Sequence, residues 1–208
     1  MAFRPISAVA LIMLACAAAP WPVWSAAAAG QGPRGLVERL NATLLEVMRD
    51  AERLGYQGRY DHLAPVLART FNFPLMARVS VGRHWRSLDE AQRKRLIDVF
   101  GRISIATFAA RFDGYSGERF EVIGERQAPR KAILVDNRLI KSDGEAVAIN
   151  YLLRKFEDAW RVVDVFLDAK YSELAMKRSE YTSVIANHGF DSLISSLEEK
   201  LARLAAEG

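Results

Sequence analysis

The chain has one cysteine, three histidines and seven prolines in 208 residues. A lone thiol cannot close an intramolecular disulfide, so the fold must be held by a packed core. His62, His84 and His188 lie far apart, with no carboxylate at a metal-ligand spacing and no thiol to help. That excludes the usual zinc and iron patterns. No glycine-rich phosphate loop and no dinucleotide fingerprint is present. Gly114-Tyr115-Ser116-Gly117 is one residue short of a nucleophile elbow and falls where a turn is expected. Neither sign of charge dominates, with 29 Lys and Arg against 25 Asp and Glu. At 50% apolar and 26% charged residues, the composition excludes collagen, a disordered tail and a polytopic membrane protein.

Apolar sequence is concentrated at the start. Residues 1–29 hold only six that are not apolar: Arg4, Pro5, Ser7, Pro20, Pro22 and Ser25. Arg4 supplies a basic n-region, Ile6 to Ala19 an apolar stretch, and Ser25-Ala26-Ala27-Ala28-Ala29 the small residues of a cleavage site. This is the build of a secretory signal peptide, to be cut between Ala26 and Gly30. Two other readings exist. Pro20 and Pro22 argue against a retained membrane anchor. In Met13-Leu14-Ala15-Cys16 the leucine stands one place too late for a lipoprotein site. Residues 30–208 then form a cysteine-free single domain outside the cytoplasm.

Helical periodicity opens that domain. Leu36, Leu40, Leu44, Val47 and Met48 recur on one face after Pro33, predicting a helix to about Leu54. Tyr60, Leu63, Leu67 and Phe71 continue the period beyond Gly55 and Gly58. A short helix from Pro74 to Val81 should stop at Gly82. Ser87-Leu88-Asp89-Glu90 reads as a capping box opening a long helix with Leu96, Phe100, Ile103, Thr107 and Phe108 on one face, closed by Gly114.

After Gly117 the period changes to two. Four strands are predicted, Phe120 to Arg126, Lys131 to Ile140, Glu145 to Phe156 and Trp160 to Leu167, with turns short enough for an antiparallel meander. Val147, Ile149, Tyr151 and Leu153 share one face of the third strand, which calls for a helical layer on that face. Helices return at Ser172 to Asn187 and Phe190 to Leu204, split by Gly189. The expected class is α+β, helices, then sheet, then helices folding back.

Chemistry-bearing groups are sparse. Asp164 and Asp168 could form a carboxylate pair, although helix capping or solvation suits them better. Arg83-His84-Trp85-Arg86 and Arg93-Lys94-Arg95 form a basic segment. Export argues against nucleic acid, leaving a wet helix face with Trp85 in the core, or a docking surface for anionic lipid or a membrane complex.

Six segments, in order, carry a resemblance: Phe73-Pro74-Leu75-Met76-Ala77-Arg78; Gly82-Arg83-His84-Trp85; Gln92-Arg93 with Phe100; Asn150-Tyr151-Leu152-Leu153; Trp160-Arg161-Val162-Val163-Asp164-Val165; and Gly189-Phe190-Asp191-Ser192-Leu193-Ile194. Together they resemble the MlaC, or toluene-tolerance auxiliary, family of periplasmic lipid-binding partners of an ABC transporter. The resemblance spans nearly the whole domain. Where the family usually has a glycine after the last strand, this chain has Ala169. Lys177-Arg178-Ser179-Glu180-Tyr181 looks more like the hopanoid-associated HpnM branch. The resemblance implies an NTF2-like fold, a curved antiparallel sheet of about four strands wrapped by about six helices. It further implies a monomer that binds a phospholipid or hopanoid between those layers, partners a membrane-bound ABC-type lipid transport complex, and uses no cofactor, metal, nucleic acid or catalysis.

On that reading Val147, Ile149, Tyr151 and Leu153 form the cavity floor, joined by Val122, Ile133, Val135 and either Val163 or Phe166. Met76, Val79, Phe100, Ile103 and Phe108 form the walls, and Arg78, Arg83 and Lys170 are candidate rim contacts for a head group. Every apolar residue in this set could equally be plain core. An NTF2-like enzyme using Asp164 or Tyr151 as acid or base is the alternative, and a protein-binding adaptor with a filled cavity is a third.

Overall fold

The computed structural model describes residues 32–157 and 159–207, so the leader expected over 1–29 lies outside the described residues. Those residues form six α-helices and one five-stranded antiparallel sheet. α1 (Pro33–Arg49), α2 (Ala51–Thr70), α3 (Phe73–Ser80), a 3-10 turn (Gly82–Arg86) and α4 (Glu90–Arg111) come first. β1 (Arg119–Ala128), β2 (Ala132–Ile140), β3 (Ala146–Phe156), β4 (Ala159–Leu167) and β5 (Tyr171–Ser172) follow, then α5 (Glu173–His188) and α6 (Phe190–Glu207). Among the described residues no helix is long and apolar enough to cross a membrane.

The expected helix through Leu54 is divided at Asp50, and Gly55 kinks α2 with φ 59°. The kink is braced by buried Arg59, whose guanidinium donates to the carbonyls of Ala51 (3.2 Å) and Ala109 (2.9 Å). A cation near the last turn of α4 also meets the negative end of that helix.

The capping box of α4 sits two residues later than the sequence suggested. Asp89 accepts the N–H of Gln92 at 2.8 Å and Gln92 accepts that of Asp89 at 3.0 Å. Ser87 is taken by the preceding turn, donating to the His84 carbonyl at 2.8 Å. Gly82 adopts φ 53°, the left-handed stop expected after α3, and α4 ends at Arg111 rather than Gly114.

In the sheet the strand order is β1-β2-β3-β4-β5. Ile123 and Val163 have no cross-strand partner and are bulges, which raise local twist and help curl the sheet around the helices. The fifth strand was not anticipated. Asp168 (φ 51°) and Ala169 (φ 55°) are both left-handed, the signature of a type I′ turn, and Lys170 N–H closes it on the Leu167 carbonyl at 3.1 Å. Ser172 therefore ends β5 and still caps α5, accepting the Ala175 N–H at 2.9 Å.

The core lies between the helices and the sheet. Leu40, Leu44, Leu63, Leu67, Leu96, Phe100, Ile103, Leu193 and Ile194 are fully buried, with Val135, Tyr151, Leu153 and Val162 facing them from the strands. One polar seam crosses it. The Asn137 N–H donates to Asn150 Oδ1 (3.0 Å), Asn137 Nδ2 to the Ile149 carbonyl (3.2 Å), and Asn41 Nδ2 of α1 to Asn137 Oδ1 (2.8 Å). Side chains thus supply hydrogen bonds in the middle of the β2–β3 ladder, as buried backbone groups require.

Candidate functional site

A cavity of about 120 Å³ opens between β3, β4 and the helices. Its floor is Ile149, Tyr151, Val165 and Leu167. α4 contributes Ser104, Thr107, Phe108 and Arg111 with the adjoining Phe112, the α2–α3 junction contributes Phe71, Phe73 and Met76, and α5 contributes Glu173 and Lys177. The lining is mostly aromatic and aliphatic with a few convergent polar groups, the make-up of a small-ligand site.

Phe71 is set in place by backbone hydrogen bonding. Its segment bridges β4 in parallel at Val162, and the Asn72 N–H donates to the Val162 carbonyl at 2.9 Å. Around it the rings interlock. Phe71 stacks on Phe73 at 5.7 Å and meets Phe108 and Tyr151 edge-on at 5.6 and 6.4 Å, and Phe108 stacks on Phe112 at 5.7 Å. Such pairs contribute about 0.5–1.5 kcal/mol each beyond area burial, which stiffens the wall.

Polar groups sort by depth of commitment. Ser104 and Thr107 donate to the carbonyls of Phe100 and Ile103, both at 2.7 Å, so their protons are already used on α4. The Tyr151 hydroxyl is buried and finds no hydrogen-bond partner among the described residues, and burial pushes its phenol well above the usual range. Arg111, Glu173 and Lys177 set two cations against one carboxylate. Burial pushes the Lys177 ammonium down, a shift that Glu173 opposes and Arg111 reinforces.

Of the residues the sequence proposed for a cavity, Met76, Phe108, Ile149 and Tyr151 line this one. Phe100, Ile103, Val135 and Leu153 are buried in the core behind it, Phe100 packing edge-on against Phe73 at 6.4 Å. Val79, Val122 and Ile133 are half-buried against that core, and Val147 is half-buried near the far end of β3. On β4 neither Val163 nor Phe166 reaches the cavity; Val165 and Leu167 do. The reason is the bulge: Val163 is the extra residue, so Val162 and Val165 both face the helices, while Phe166 pairs with Asn150 on the other side. Arg78, Arg83 and Lys170 are exposed and outside the lining, where Arg111 and Lys177 stand instead.

The missed wall residues were within reach of a longer helical stripe. Continuing Phe100, Ile103, Thr107 and Phe108 by one turn gives Arg111 and Phe112. Nothing local signals Phe71, whose position depends on a long-range bridge to β4.

Asp164 is occupied structurally. Its carboxylate accepts from Ser172 Oγ (2.6 Å), Val165 N–H (2.8 Å) and Leu174 N–H (3.1 Å), fastening the start of α5 to β4. Burial outweighs these bonds and pushes its carboxyl up. Asp168 is exposed in the turn. In the basic segment, Arg93 stacks over Trp85 at 5.5 Å and donates to the Trp85 and Arg86 carbonyls at 3.3 and 3.4 Å, latching the 3-10 turn to α4.

The family model described as MlaC protein matches residues 38–199. The chain belongs to the MlaC family. A solved structure with the same MlaC fold is the phospholipid-binding protein from Ralstonia solanacearum, determined in complex with a phospholipid. It is 20% identical, has a TM-score of 0.73, and the alignment covers 83% of this chain and 98% of that one. A comparison with curated protein sequences found no match. The MlaC match begins in α1 and ends in α6, so all the elements that build the cavity lie within it.

Proposed function

We propose that this protein is a periplasmic lipid carrier. It holds the apolar part of a phospholipid or hopanoid in the cavity and passes it between membrane-bound transport complexes, including an ABC-type transporter, by binding and release without turnover. The observation that carries this reading is the open, aromatic-walled cavity between sheet and helices, with two cations and a carboxylate among its lining. An adaptor that only bound protein would have filled that space with its own side chains.

Energetics supply the reason for such a cavity. Exposing an acyl chain to water costs about 0.8 kcal/mol per methylene, or roughly 13 kcal/mol for sixteen carbons. A carrier must hide that surface, and needs shape rather than reactive groups to do so. Met76, Phe108, Ile149 and Tyr151, with Phe71, Phe73, Phe112, Val165 and Leu167, are the residues assigned to that task. The bound phospholipid of the Ralstonia relative supports a phospholipid cargo, and the segment Lys177 to Tyr181 keeps a hopanoid in view. The leader-like start at residues 1–29 and the family support the periplasmic location. The enzyme alternative loses its best acid, since Asp164 already accepts three hydrogen bonds outside the cavity lining.

Native mass spectrometry of gently purified protein tests the reading. A co-purifying lipid of defined mass is expected; a ligand-free protein that also takes up no labelled phospholipid from vesicles overturns it.

A further inference from the structure

Among the neutral side chains lining the cavity, three carry hydroxyls. Those of Ser104 and Thr107 donate to their own helix. Tyr151 differs: its ring is fully buried in the aromatic cluster, yet its O–H is given no acceptor by the described residues. A phenylalanine would fill nearly the same space among Phe71, Phe73 and Phe108 without leaving a buried donor unmet, and an unmet donor is the costly case. The hydroxyl is therefore a demand for an acceptor that arrives with the ligand.

We infer that Tyr151 is a specificity-determining donor for an ester carbonyl of the cargo, so that the cavity selects acyl-ester lipids over purely hydrocarbon scaffolds. This deepens the carrier reading and rests on it. The chemistry of the lining supports a carbonyl over a phosphate. A phosphate brings a full charge, which is costly to bury unpaired and is met far better by Arg111 and Lys177. Burial raises the phenol and keeps it protonated, a neutral donor suited to a neutral acceptor. Along an acyl lipid the methylenes carry no acceptor at all, and the ester groups lie between chain and head group. A cation pair suited to the phosphate and one neutral donor suited to the carbonyl line the same cavity. A pentacyclic hydrocarbon has no group to offer Tyr151.

The experiment uses delipidated protein titrated with three probes: a diacyl phosphatidylglycerol, its dialkyl-ether analogue, and the hydrocarbon hopanoid diploptene. Wild-type protein should bind the diester about fivefold more tightly than the diether, the scale of one net hydrogen bond. Tyr151→Phe should bind both equally, at the diether level, and its ligand-free form should melt higher than wild type because the orphan hydroxyl is gone. Equal wild-type affinity for diester and diether overturns the inference without the variant. An equal loss for both lipids in Tyr151→Phe reassigns the hydroxyl to the phosphate and overturns it too, as does diploptene binding as tight as the diester. Uptake of no probe at all overturns the carrier reading, and this inference with it.

Discussion

The side-chain carbonyl of Asn150 stands in for a rung of the sheet, accepting the backbone N–H of Asn137 at 3.0 Å. Its amide then donates to Asp136 Oδ1, also at 3.0 Å, beside the Arg126 guanidinium that holds the same carboxylate. Asn150→Ala removes the acceptor from a buried N–H and a donor from a carboxylate at once. The expected loss is about 2 kcal/mol, the scale of an orphaned buried donor. Urea denaturation should show a lower midpoint with an unchanged slope; an unaltered midpoint would mean that water or a backbone carbonyl fills the gap.

At the β4–β5 turn a substitution in the opposite direction should help. Ala169 holds φ 55°, a conformation that costs an L-residue about 1–2 kcal/mol. Glycine removes that strain but adds about 0.4–1 kcal/mol of unfolded-state entropy. Ala169→Gly is therefore expected to stabilise by about 0.5–1 kcal/mol, raising Tm by a few degrees in a domain of this size. A calorimetric scan showing a lower Tm would contradict the turn geometry.

Asp164 gives a pH dependence of unusual sign. Its carboxyl titrates above the ordinary carboxylate range in the folded protein because burial disfavours the charge. Between the unfolded pKa and this raised one, the folded state binds more protons than the unfolded state, so stability falls as pH rises through that window. Below the window both states are protonated and the effect is constant. The difference in unfolding free energy between wild type and Asp164→Asn, followed from pH 3 to 8, isolates this group from the exposed carboxylates. A difference that stays flat with pH, or changes with the opposite slope, would refute the assignment.

Lys177 and Arg111 bear on head-group preference. Each cation near an anionic surface contributes about 1 kcal/mol at modest ionic strength, and less as salt screens it. Replacing both by glutamine should weaken binding of net-anionic phosphatidylglycerol by up to about thirtyfold, and that of zwitterionic phosphatidylcholine, whose phosphate meets the same cations, by less, so that the preference between them falls. Vesicle-uptake assays at low and high salt check this. Wild-type preference should fall with salt and the double variant should not respond.

Legibility tracked the range of the interaction. The helices with one clean apolar stripe, α1 and α6, could be read from Leu40, Leu44 and Val47 or from Leu193, Ile194 and Leu197, because period and burial coincide. The strands could be read from alternation, and their edges moved by only a residue or two. What escaped was set by contacts distant in sequence or by a single extra residue. Phe71 joins the wall through Val162. The bulge at Val163 exchanges the faces of β4, so that Val165 and Leu167 displace Val163 and Phe166. The cap at Asp89 rather than Ser87 was a competition between two adequate boxes, settled by the 3-10 turn that claims the Ser87 hydroxyl.

Several of these contacts converge on one strand. The Val162 carbonyl fixes the Phe71 segment, the Asp164 carboxylate fixes the first turn of α5, and Val165 and Leu167 form part of the floor. Floor and two walls are thereby indexed to six consecutive residues, like fittings on a common spar. Exchange of cavity parts between members of this family must accordingly carry residues 162–175 together with Phe71 and Asn72 as one block. Moving any one fitting alone leaves the others aligned to a frame that is no longer there.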